Sequence, residues 1–224
     1  MVLMLFFSNQ PLFAQAKPAE ASGTVATMTL TPTTHLLYLH GFRSSPASSK
    51  AQKMAALITH DYPGVTWWCP QLPPSPAAAM RQITQGVAQW PASMAVIGSS
   101  LGGFYATWVA EQRHCKAVLL NPAIDPVRDL ASYIGEQTAW HDPKETFFFQ
   151  AEFVDELRAL NAGPLTTPAN YMAVIAKGDE VLSWREMAAR YAGANIRLLE
   201  GGDHALSDFD AHLPAILEFL KLKA

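Results

Sequence analysis

Six short apolar runs, separated by longer segments, constrain the fold of this chain more than any other feature of its sequence. The runs lie at 36–39, 65–69, 94–97, 117–120, 171–175 and 196–199, and most are apolar at successive positions, so both faces of such strands need cover. Between and after them, helical spacing recurs at 48–60, 76–90, 101–113, 183–191 and 214–221. Met80, Ile83 and Val87, at i, i+3 and i+7, set the face of the second of these helices. A parallel connection needs a crossover long enough for a helix. The pattern therefore predicts the α/β class, with a doubly wound, mostly parallel sheet of about six strands.

One interval breaks the rhythm. Residues 122–170 far exceed the usual connection of about 2–6 residues between such units. They are rich in aromatics, namely Tyr133, Trp140, Phe147, Phe148, Phe149 and Phe153. The excess predicts a helical, lid-like insertion over 125–168, between the fourth and fifth strands.

Composition removes several alternatives. At 224 residues the chain suits one domain. It is 50% hydrophobic and 16% charged, against about 25% charged in an average soluble protein, which excludes disorder for most of its length. With 16 Lys and Arg against 19 Asp and Glu it has no basic surplus for a phosphate backbone, so no nucleic-acid partner is expected. Cys69 and Cys115 stand outside any CxxC pair and read as buried thiols. No apolar run approaches the roughly 20 residues of a membrane span. Residues 1–27 carry an apolar run and an A-x-A triplet at Ala14-Gln15-Ala16, but no Lys or Arg precedes the run. They are expected to be an extension ahead of a single domain at 28–224, with a cytoplasmic location. Export is the alternative if residues 1–16 act as a signal peptide.

Gly98-Ser99-Ser100-Leu101-Gly102-Gly103 stands between a predicted strand and a predicted helix, the setting that a G-x-S-x-G nucleophile elbow requires. The chain must reverse within a few residues there, and glycines are needed where a side chain would strike the neighbouring strand or helix. Ser100 Oγ would then project from the carboxyl edge of the sheet. The Leu101 N–H would face a developing oxyanion at a helix N-terminus. A glycine-rich packing turn or a phosphate loop would also use such glycines, but neither a Walker A nor a G-x-G-x-x-G motif is present.

A serine nucleophile needs a base, and the base an orienting carboxylate. Lys177-Gly178-Asp179-Glu180 follows the fifth strand and Gly201-Gly202-Asp203-His204 the sixth, so both groups reach the edge that carries Ser100. The order Ser100, Asp179, His204 predicts a triad, with Asp125 and Asp203 competing for the carboxylate's role. His40, just after the first strand, is expected to hold the loop that supplies a second oxyanion donor. Phe42 N–H is the first choice and Arg43 N–H the second.

Together with Leu37-Tyr38-Leu39-His40-Gly41-Phe42-Arg43-Ser44-Ser45-Pro46, Asn121-Pro122-Ala123 and Gly178-Asp179-Glu180, the elbow resembles the small bacterial YqiA-like esterases of the α/β-hydrolase superfamily. The resemblance runs from about residue 34 onward. It implies a compact α/β-hydrolase that lacks the first strands of larger members. It also implies activity on carboxylic esters, with acyl-CoA thioesters as a second class. Arg43 stands where a small polar residue would be expected.

The expected activity is therefore that of a serine esterase or thioesterase with Ser100 as nucleophile, His204 as base, Asp179 as orienting acid, and Leu101 and Phe42 as oxyanion donors. Arg43, Phe148 and Phe149 are expected to contact a small acyl substrate, and neither a metal nor an organic cofactor is required. Two rivals stand beside it. One is a peptidase of the same superfamily, which would need an acidic anchor that the sequence does not identify. The other is a catalytically silent binding module on the same fold.

Overall fold

The apolar runs become strands, and the four in the middle of the sheet are buried almost throughout, whereas the two at its edges are partly exposed. In the computed structural model, which describes residues 32–223 apart from His141 and Pro143, the chain opens with β1 (His35–Leu39), α1 (Ser49–Asp61), β2 (Thr66–Trp68), α2 (Pro76–Gly86), β3 (Met94–Ser99), α3 (Leu101–Arg113) and β4 (Lys116–Leu120). After β4 come α4 (Pro126–Leu130), β5 (Gly135–Thr138), β6 (Thr146–Phe149), α5 (Ala151–Ala159), β7 (Tyr171–Ala176), α6 (Trp184–Arg190), β8 (Asn195–Leu199) and α7 (Leu213–Leu220). Expectations for residues 1–27 lie outside the described residues.

The main sheet has the order β2-β1-β3-β4-β7-β8 and every pairing in it is parallel. Alternation along the strands sorts side chains to two cores. Leu37 and Leu39 of β1 join Met80 and Ile83 of α2, Tyr105 and Val109 of α3 and Met187 of α6. Leu36 and Tyr38 face the other way, onto Met54 and Ile58 of α1 and Ile216 and Leu220 of α7. The sheet is thus covered on both sides, and its carboxyl edge is left to the loops.

The excursion between β4 and β7 is only partly helical. It carries α4 and α5 as expected, but between them β5 and β6 pair as an antiparallel hairpin, Gly135 opposite Phe149 and Thr138 opposite Thr146. Period-2 alternation, rather than helical spacing, governs Phe147, Phe148 and Phe149. Phe149 is buried while Phe148 is 61% exposed. Among the described residues no helix is long and apolar enough to cross a membrane.

Candidate active site

Ser100 is set by the crowding of the turn that bears it. It caps α3 with φ 55° and ψ −123°, a backbone conformation rarely adopted by L-residues that costs on the order of 1–3 kcal/mol. Backbone bonds hold it there. Its N–H donates to Leu120 O at 3.0 Å, and its carbonyl accepts from Gly103 N–H at 2.8 Å and Ala123 N–H at 3.0 Å. The flanking glycines are sterically obligatory, since a Cβ on Gly98 would lie 2.2 Å from Gly102 O and one on Gly102 would lie 2.0 Å from Leu39 O.

Loops after β7 and β8 bring the other two groups to this turn. Asp179 Oδ2 lies 2.8 Å from His204 Nδ1, and His204 Nε2 lies 3.0 Å from Ser100 Oγ. A carboxylate can only accept, so Nδ1 carries the hydrogen and Nε2 of the neutral ring accepts from the serine hydroxyl. The Asp179 side chain is wholly buried and that of His204 is 21% exposed. Asp179 Oδ1 accepts from Val181 and Leu182 N–H at 2.8 Å each, which fixes the carboxylate plane. Glu180 Oε2 accepts from the His204 backbone N–H at 3.0 Å and ties the two loops together.

Both competing aspartates are engaged elsewhere. Asp125 caps α4 through Arg128 N–H. Asp203 accepts from the Ser207 hydroxyl and amide, and these two bonds hold its carboxyl below the usual range.

On the opposite side of Ser100 runs the loop after β1. A Cβ on Gly41 would lie 3.1 Å from Ser100 Cβ, so this loop is in contact with the elbow. The amides of Phe42 and Leu101 have no backbone acceptor among the described residues. His40 is buried; its Nε2 accepts from Leu72 N–H at 3.1 Å, and Nδ1–H therefore faces Gly41 O at 2.9 Å. This neutral imidazole ties the loop after β1 to the loop after β2.

Arg43 (φ 60°) joins the same loop to the hairpin. Its Nε donates to Thr138 O at 2.6 Å, its carbonyl accepts from Trp140 N–H at 2.8 Å, and its guanidinium stacks on the Trp140 ring at 4.2 Å.

Two cavities flank Phe42 and Arg43. One of about 310 Å³ contains Ser100 and His204 and is walled by Leu130, Tyr133, Trp140, Val181 and Leu182. The other, of about 240 Å³, is bordered by Leu72, Pro73, Tyr105, Glu145 and Phe147. Phe42, Arg43 and Leu101 border both. Phe148 and Phe149, expected as substrate contacts, border neither of these two cavities. Phe149 packs edge-on against Phe42 at 5.1 Å and Phe153 at 5.5 Å, and Phe148 faces the other side of the strand. Alternation within the Phe triplet separates Phe148 from Phe147 and Phe149, and of these two Phe147 borders the smaller cavity.

Sequence reasoning also passed over Asp129. It borders the larger cavity, and burial raises its carboxyl above the usual range against the opposing pull of Arg128. No group of three His, Cys, Asp or Glu among the described residues could hold a metal ion.

Comparison with known proteins agrees with this architecture. A model described as an uncharacterised protein family, UPF0227, matches residues 35–221. Among solved structures, the fold is similar to alpha/beta hydrolase domain-containing protein 10 from mouse, at 15% identity over 83% of this chain and 90% of that one, with TM-score 0.63. It is similar also to Est1E from Butyrivibrio proteoclasticus, at 15% identity over 85% and 86% with TM-score 0.59. A third similar structure comes from work on LipS and LipT, two metagenome-derived lipolytic enzymes, at 17% identity over 84% and 94% with TM-score 0.58.

Proposed function

The chain belongs to the uncharacterised protein family UPF0227, the YqiA family that its motifs resemble, and from that premise we propose that it is a serine hydrolase of carboxylic esters. Acyl-CoA thioesters are its second substrate class. The observation that carries the reading is the unbroken chain from Asp179 through His204 to Ser100, with contacts of 2.8 and 3.0 Å, at a strained elbow.

Ser100 Oγ attacks the acyl carbonyl and its proton passes to His204 Nε2. The carbonyl oxygen becomes an oxyanion between the Leu101 and Phe42 amides, at the N-terminus of α3. Collapse breaks the ester bond, and His204 returns the proton to the departing alcohol or thiol. A water molecule, deprotonated by the same imidazole, then releases the acid and regenerates the serine. Asp179 holds the ring in the tautomer that can accept and stabilises the imidazolium.

His204 must reach the leaving atom, so the leaving group occupies the larger cavity, where His204 stands. The acyl chain occupies the smaller one, beside Phe147 and Tyr105. A panel of esters varied separately in acyl and alcohol length tests both statements. Turnover abolished by Ser100→Ala, with an acyl-length optimum altered by Phe147→Ala, is expected. An optimum altered only along the alcohol series would exchange the two cavities, and a panel left unhydrolysed by folded protein would refute the enzyme and favour the silent module.

The peptidase reading draws on a single observation. Asp129 Oδ2 is buried without a partner beside the larger cavity and could anchor a substrate ammonium. The ester reading is preferred because Asp129 Oδ1 already accepts from Arg128 Nε at 2.8 Å, which offsets its charge. Hydrolysis of aminoacyl arylamides in preference to esters would reverse that ranking.

A further inference from the structure

The turn Asn121-Pro122-Ala123 lies outside the reaction path just described, yet it touches all three loops that supply the reacting groups. Asn121 follows β4, is fully buried, and adopts φ 41°, a left-handed conformation that asparagine tolerates better than most other side chains. Its backbone N–H donates to Val174 O at 3.0 Å. Its side-chain Oδ1 accepts from Ala176 N–H at 2.8 Å, at the end of the strand that leads to Asp179. Its Nδ2 donates to the carbonyls of Asp203 at 2.9 Å and His204 at 3.2 Å. Carbonyls only accept and an amide N–H only donates, so the amide has one workable orientation. Two residues on, Ala123 N–H donates to Ser100 O.

The loop that Asn121 grips is also held by Glu180 at the His204 N–H, by Gly178 N–H at Gly201 O, and by Asp203 on Ser207, and Asn121 adds the bonds to the Asp203 and His204 carbonyls. The loop contains Gly201 and Gly202, the latter at φ 84°, and the His204 ring must keep both of its nitrogens on partners carried by other loops.

We propose that Asn121 is a positioning residue, a buried clip that holds the His204 main chain against the end of β7 and so keeps the imidazole between Asp179 and Ser100. The proposal rests on the triad reading above. Asn121→Asp retains the acceptor for Ala176 N–H but turns an acceptor toward two carbonyl oxygens. Asn121→Gly removes the side chain and suits the positive φ.

The test compares both variants with wild type, each well below its own melting midpoint. The readouts are kcat and KM on a short-chain p-nitrophenyl ester, the rate of Ser100 phosphonylation by a fluorophosphonate, and the low-field proton signal of the His204–Asp179 bond. The expected result is a kcat lowered about tenfold or more with KM within about twofold, phosphonylation slowed in proportion, and the low-field signal lost or broadened. Folded variants with wild-type kcat and phosphonylation rates, or with a change in KM alone, would overturn the proposal. Failure of both variants to fold would also overturn it, by making Asn121 a folding residue. A wild type that resists the fluorophosphonate would instead refute the triad reading on which the proposal stands.

Discussion

The carboxyl edge of the sheet and the excursion between β4 and β7 both face Ser100, and they are built differently. All six residues of β3 and all six of β7 are buried, so the loops leaving them start from fixed points. Ser100 and Asp179, which they carry, each stand at hydrogen-bond distance from the His204 ring. The excursion meets solvent with Tyr133, Ile134, Trp140 and Phe148, which are 37, 46, 71 and 61% exposed. It is attached at discrete points. Arg43 holds the Thr138 end of the hairpin, Phe149 plugs into the core, and Glu156 of α5 accepts from Ser75 Oγ and Ala77 N–H at the start of α2. A region that must hold a reacting geometry is set by backbone and burial, whereas a region that contacts a variable part of the substrate needs few anchors. Substitutions in the first should change chemistry, and those in the second should change stability or substrate choice.

The largest effect is expected at the edge. Asp179→Asn should lower kcat by about ten-thousandfold while leaving the fold intact, because the amide favours the wrong histidine tautomer. Steady-state kinetics beside a circular dichroism spectrum check it, and a loss of less than tenfold would mean that the edge does not set the chemistry.

Phe149 and Phe148 come next, as neighbours on opposite faces of one strand. Phe149→Ala should cost about 3–5 kcal/mol of stability, as for other buried aromatics. Phe148→Ala should stay within about 0.5 kcal/mol. Denaturant unfolding of the two variants distinguishes a plug from an exposed ring, and equal costs would erase the distinction.

The smallest effect belongs to the cavity walls. Trp140→Ala should alter preference along the alcohol series by a few fold, on the scale of about 0.8 kcal/mol per buried methylene, with acetyl methyl ester turnover little changed. A uniform loss across the series would make Trp140 part of the fixed machinery.

The same division explains what the sequence disclosed. All six strands of the main sheet were legible, the four central ones because burial on both faces forces continuous apolar runs, as in Leu36-Leu37-Tyr38-Leu39, and the half-exposed edge strands β2 and β8 because each still carries a short apolar run. The approach of Ser100, Asp179 and His204 to one edge was legible because each follows one of these apolar runs. The hairpin was not, since Gly135-Glu136-Gln137-Thr138 has no apolar alternation and its partner strand hides its period within three consecutive phenylalanines. Arg43 was read as a substrate contact, and its ties to Thr138 and Trp140, 95 and 97 positions away, could not be seen from local spacing. Asn121 stood out as part of a motif, but its partners belong to loops that only the strand order β4-β7-β8 makes adjacent.

The most direct test of the account is covalent labelling with a fluorophosphonate, read by intact-mass and peptide mass spectrometry. The account predicts one adduct, on Ser100, in wild type and in Ser99→Ala, and none in Ser100→Ala. Absence of an adduct on folded wild type, or an adduct that survives in Ser100→Ala and disappears in Ser99→Ala, would contradict it.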